Sequence, residues 1–127
     1  MTLHLDTHVV VWLYAGEHSR FPAALRDRLN AESLRISPTV RLELSYLHEI
    51  GRIAVSPDRI LAELSSSIGL DEDTEGFARV VDIAQTMTFT RDPFDRMIAA
   101  QAAAAGAGLV TKDERIAAAQ PALAVWD

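Results

Sequence analysis

Between Leu3 and Val125 the chain alternates short apolar runs with longer amphipathic stretches, and that alternation leaves few folds open. The runs Leu3–Leu5, Leu34–Ile36, Ser67–Leu70, Gly108–Thr111 and Leu123–Val125 read as strands, most of them short enough and apolar enough to be buried on both faces. Helical patterns separate them. Val9–Tyr14 is a short apolar helix, and after a loop at Arg20–Phe21, Pro22 opens a helix through Ala31 with Leu25 and Leu29 on one side. Ser37-Pro38 places a hydroxyl cap before a proline, the usual opening of a helix, here carrying Val40, Leu44 and Leu47 to about Ile50 and stopping at Gly51. Ser56-Pro57-Asp58 starts another with Ile60, Leu61 and Leu64. The acidic group Asp71, Glu72, Asp73 and Glu75 precedes a helix with Phe77, Val80, Val81 and Ala84 on its apolar side. Asp92-Pro93 opens an Ala-rich helix to Ala105 closed by Gly106, and Glu114–Ala119 is a short final helix. Strands alternating with helices imply a parallel sheet covered on both faces. The expected fold is therefore a three-layer α/β/α domain with about five parallel strands.

The length of 127 residues fits one domain, 1–127, since domains run to about 150 residues. Hydrophobic residues make up 49% and charged residues 24%, the balance of a folded globular chain rather than a disordered one. The absence of cysteine excludes disulfides and thiolate metal sites, so any metal would need oxygen or imidazole ligands, and it is compatible with a reducing cytoplasm. Asp6 interrupts the start of the chain before any signal-peptide core can form. The longest apolar stretch, Val9–Ala15, falls well short of the roughly 20 residues of a membrane span. Net charge is −6, which argues against a long basic groove for nucleic acid and requires any such contact to be local. Of the 12 basic residues all but Lys112 are arginine, a side chain suited to forked contact with phosphate or carboxylate.

Four carboxylates stand where an open parallel sheet gathers its functional groups, at the C-terminal strand ends. Asp6 follows the first strand and Asp113 the strand Gly108–Thr111. Glu43 shares a helix side with Val40 and Leu47, and Asp95 with Ile98, Ala99 and Ala102, so both face inward near the same edge. Asp113 and Asp92 also suit helix caps, and Asp6 suits a turn. Glu43 has no such alternative use, because an unpaired carboxylate facing a core is costly. If the four converge, charges about 4 Å apart repel by roughly 4 kcal/mol at an effective dielectric near 20, and a counter-charge is needed. Oxygen-only ligands select a hard cation, Mg2+ or Mn2+. Such an ion in a carboxylate pocket supports hydrolysis of a phosphodiester.

These segments also carry a family resemblance. Leu5-Asp6-Thr7-His8-Val9, Ser37-Pro38-Thr39-Val40-Arg41-Leu42-Glu43, Arg91 to Ala102 with its Asp92-Pro93-Phe94-Asp95-Arg96 core, and Leu109-Val110-Thr111-Lys112-Asp113 resemble, in order and over nearly the whole chain, the PIN-domain toxins of the VapC type. The resemblance implies that Asp6, Glu43, Asp95 and Asp113 are the catalytic, metal-coordinating quartet, with Thr111 and Arg96 in supporting roles. It implies an endoribonuclease that cuts RNA to leave 5'-phosphate ends, a homodimer, and a VapB-type antitoxin. On that reading the antitoxin sets an Arg or Lys near the quartet. Its apolar residues lie along Val9–Tyr14, Leu42 and Tyr46.

Other readings fit less of the sequence. His4-x-Asp6-x-His8 offers a histidine-based metal centre, but the turn into the first helix is expected to send His8 away from the face shared by His4 and Asp6. A receiver-like phosphoacceptor would need paired acids after the first strand, where Asp6 is followed by Thr7, and it leaves Glu43 unexplained. A silent PIN fold kept for protein binding would not need the intact quartet. Trp12, Tyr14 and Tyr46 are assigned by default to the core.

Overall fold

A computed structural model describes residues 1–127. Strand β1 (Thr2–Leu5) leads directly into α1 (Thr7–Tyr14), and after a single 3-10 turn come α2 (Ala23–Ala31), β2 (Ser33–Ile36), α3 (Pro38–Glu49) and α4 (Pro57–Ile68). The chain then forms β3 (Asp71–Glu72), α5 (Phe77–Ala84), α6 (Pro93–Ala104), β4 (Gly108–Val110), α7 (Glu114–Ala119) and β5 (Ala124–Val125). The sheet has five strands in the order β3-β2-β1-β4-β5, every neighbouring pair parallel. Helices cover both faces, as the alternation requires. The chain leaves β1 toward β2 and β3 and later returns to β1's other side with β4, so the order reverses between β1 and β4. At such a reversal the C-terminal strand ends open a crevice.

The local signals at the helix starts are used as written. Ser37 accepts from the Thr39 amide, Ser56 from Arg59, and Asp92 from Phe94, each before a proline in the first turn. One cluster of buried apolar side chains, with Leu3, Leu5, Val9, Val10, Leu44, Ile98 and Leu109 among its members, fills the space between sheet and helices. Small side chains bring α6 close to its neighbours: Ala99, Ala100 and Ala102 are fully buried, and α6 packs against α3, α5 and β4. Gly108 permits β4 to lie tightly between its partners, since a Cβ there would stand 2.7 Å from the Val125 side chain. No helix is long and apolar enough to cross a membrane.

One strand was placed wrongly by pattern. Ser67 and Ile68 belong to the last turn of α4, where the stripe Ile60, Leu64 continues by another i+4 step, and Gly69 closes the helix with a φ of 69°. The strand lies two residues on, at Asp71–Glu72. Acidic side chains are tolerated on this edge because Arg41 grips Glu72 through two bonds of 2.8 and 2.9 Å and Arg35 donates to the Glu72 carbonyl.

Candidate active site

The crevice between β1 and β4 holds the carboxylates. Asp6 is the residue after β1; its Oδ1 caps α1 by accepting from the Thr7 amide at 2.8 Å, and its Oδ2 accepts from Thr111 Oγ1 at 2.7 Å. The Thr111 hydroxyl in turn accepts from the Asp113 amide at 3.1 Å, so one small side chain past the end of β4 ties two acids together. Thr111 therefore lies between Asp6 and Asp113. Thr7 Oγ1 donates to Glu43 Oε1, which orients the glutamate that α3 brings in from the side. Asp113 caps α7, accepting from the Arg115 amide at 2.8 Å.

Asp6, Glu43, Asp95 and Asp113 line one pocket together with Thr7, His8, Val11, Trp12, Leu47, Arg52 and Ile53. Asp92 enters from the adjoining side. Carboxylate oxygens of Glu43, Asp92 and Asp95 lie within 4.8 Å of one another, so Asp92 both caps α6 and joins the cluster. The two groupings overlap at Glu43 and Asp95, which stand at the centre of the acidic site.

The electrostatics follow from this crowding. Asp95 has its pKa raised from 3.8 to about 7, by burial first and then by the charges of Asp92, Asp6, Asp113 and Glu43. Glu43 is also raised, by burial and by Asp6 and Asp92, against the lowering effect of the Thr7 hydrogen bond. Burial pulls Asp113 upward too, but the amide and guanidinium of Arg115 and the Ile116 amide outweigh it, and the net shift is downward. At Asp95 and Glu43 the crowding of negative charge and burial outweigh the positive charge nearby. Oxygen donors in this number and at this spacing suit a hard divalent cation.

Three residues lie elsewhere than the sequence reading put them. His8 is not turned away: its Nδ1 lies 3.6 Å from Asp6 Oδ2, while its Nε2 accepts from the Lys112 amide at 3.1 Å. The first turn of α1 starts directly at Thr7, so His8 remains at the strand end. His4 takes no part, because its Nε2 lies 3.2 Å from buried Asp73 away from the pocket. Arg96 is outside the pocket, its Nε donating to the Thr90 carbonyl at 2.8 Å. The guanidinium that does reach the acids is that of Arg115, whose Nη2 donates to Asp95 Oδ2 at 3.1 Å and Asp113 Oδ2 at 3.4 Å. Of the aromatics assigned to the core, Trp12 is half-buried against Phe21 and Trp126, whereas Tyr46 is exposed beside Phe94.

The PIN domain family matches residues 3–120, a span that holds every carboxylate of the site. The chain belongs to the PIN-domain family. Within it the resemblance is to VapC proteins: the chain is 32% identical to ribonuclease VapC22 of Mycobacterium tuberculosis over 120 residues, covering 91% of this chain and 89% of that protein. Among solved structures, the PIN fold here matches a chain of DNA-bound VapBC from Salmonella typhimurium with a TM-score of 0.56 and 26% identity, over 87% of this chain and 86% of that one. A chain of VapBC2 from Rickettsia felis, bound to a DNA fragment from their promoter, shares the fold over its full length and that of this chain, at a TM-score of 0.68 and 18% identity.

Proposed function

We propose that this PIN domain is a VapC-type toxin, an endoribonuclease that hydrolyses RNA phosphodiester bonds with Mg2+ or Mn2+ held by Asp6, Glu43, Asp95 and Asp113. The observation that carries the reading is the convergence of these four acids, with Asp92 beside them, in one crevice at the reversal of the sheet. A bound divalent cation would supply Lewis acidity toward the phosphodiester and toward the attacking water. The chain's own groups set the geometry. Thr111 fixes Asp6 relative to Asp113, Thr7 fixes Glu43, and Asp92 fixes the start of α6 and with it Asp95. Orientation by such hydrogen bonds keeps the oxygens from relaxing apart under their mutual repulsion.

Supporting the toxin assignment are the VapC relatives, and the neighbours described as VapBC complexes support a VapB-type antitoxin as partner. Net charge of −6 would draw a basic segment to this surface, and the seat Arg115 already occupies shows that a guanidinium fits the acids. Val9 and Val10 are wholly buried in the core and cannot receive a partner, which narrows the expected groove. Its apolar part is better supplied by Leu42 and Tyr46, exposed one helical turn apart on α3, with Ile50 a turn further.

The test is incubation of the purified chain with single-stranded RNA and Mn2+, with mapping of product ends. Cleavage leaving 5'-phosphates in the natural chain, and none with Asp95→Asn, is the expected result. Equal cleavage by Asp95→Asn refutes the proposal.

A further inference from the structure

Arg115 is the single cationic side chain in contact with the acids of the pocket, and the sequence pattern gives it no assigned role. It stands two residues after the cap Asp113, in the first turn of α7, which folds its side chain back over the cap toward α6. Its Nη2 is shared between Asp95 Oδ2 and Asp113 Oδ2, and its Nη1 lies 3.5 Å from Thr90 Oγ1. These are the oxygens that the proposed cation needs. Yet the side chain is 60% exposed, so its ion pairs are screened by solvent and weak enough to be exchanged.

Resting on the nuclease reading above, we propose that Arg115 is a displaceable counter-cation: it neutralises Asp95 and Asp113 while no divalent ion is bound, yields their oxygens on metal uptake, and then takes the incoming RNA phosphate as its partner. The charge balance motivates both halves. Without the guanidinium, Asp95 faces Asp92, Asp6, Asp113 and Glu43 with no cation in contact. With a divalent ion present, Arg115 becomes a second positive charge at the same oxygens and is repelled. A guanidinium freed at the rim has a planar fork of donors that matches a phosphodiester. Metal and RNA would then favour each other's binding, because each removes Arg115 from a position that hinders or delays the other.

The variant that separates this from a plain surface ion pair is Arg115→Gln, which keeps much of the length and loses the charge. Calorimetric titration of Mn2+ into the full chain without RNA should show about three- to tenfold tighter binding in Arg115→Gln, the range expected when one or two exposed ion pairs no longer compete. At saturating Mn2+ the KM for single-stranded RNA should rise by about the same factor, with Arg115→Lys between the two proteins. Opposite effects on the two ligands are not what a merely structural residue gives. Mn2+ affinity that is unchanged or weaker in Arg115→Gln, or an unchanged KM, overturns this inference alone. Absence of Mn2+ binding from both proteins overturns the nuclease reading together with it.

Discussion

Replacing Asp95 by Asn should stabilise the metal-free protein while destroying its activity. The substitution nearly conserves volume and removes a charge that the fold holds at a cost. The Asp95 carboxyl is raised from 3.8 to about 7. At about 1.4 kcal/mol per pH unit this sets a ceiling of about 4 kcal/mol on the penalty for ionising Asp95 in the folded state. The open crevice and the Arg115 contact, which an amide keeps only weakly, reduce the expected gain to about 2 kcal/mol. For a domain of this size that raises Tm by about 5–10 °C. The gain depends on pH in a defined direction. Because the folded-state value lies above the unfolded one, the contribution of Asp95 in the natural chain is fully present below about pH 4, is lost progressively as pH rises, and is gone above about 7. Thermal melts of both proteins in chelator, from pH 4.5 to 8.5, should therefore lie close together at the acid end, separate progressively up to about pH 7, and keep a constant difference above it. A Tm for Asp95→Asn that is equal or lower at pH 8.5, or a difference that does not change with pH, refutes the reasoning.

Three further variants probe the site and the exposed side of α3. Asp92→Asn retains a good cap for the Phe94 amide but loses charge beside Glu43 and Asp95, so stability should hold within about 1 kcal/mol while cleavage falls less than in Asp95→Asn; an equal loss of cleavage would give Asp92 a central role. Thr111→Val removes the hydroxyl that links Asp6 to the Asp113 amide and should lower metal affinity by about 10- to 100-fold, measured by titration, with the fold retained. Leu42→Glu with Tyr46→Glu on the exposed side of α3 should leave cleavage by the free chain unchanged and weaken capture of a co-expressed antitoxin; undiminished capture in a pull-down would move the interface elsewhere.

Where the sequence was informative, the reason is local. Parallel strands are buried on both faces and read as apolar runs, and Ser37-Pro38, Ser56-Pro57 and Asp92-Pro93 mark helix starts by the bonds their side chains make within two or three residues. The acids at strand ends followed from those boundaries. Strand β3 was illegible because what stabilises Asp71 and Glu72 on a sheet edge is Arg35 and Arg41, more than thirty residues away. His8 was misjudged by the direction of a single turn, the start of α1 at Thr7. The family resemblance marks Arg96 and gives Arg115 no role. Arg96 lies next to Asp95 on α6 and is therefore rotated about 100° from it, whereas Arg115 belongs to another helix whose cap is itself one of the acids. Only the tertiary contact from Arg115 on α7 to Asp95 on α6 distinguishes the two.

The proposed chemistry requires that the clustered acids work through a divalent cation. The direct measurement is the initial rate of RNA cleavage by the purified chain as Mg2+ or Mn2+ is titrated against a fixed excess of chelator. The carboxylate site predicts no cleavage until free cation appears and a saturable rise thereafter, lost in Asp6→Asn and Asp95→Asn. Full cleavage at every point in excess chelator would contradict it.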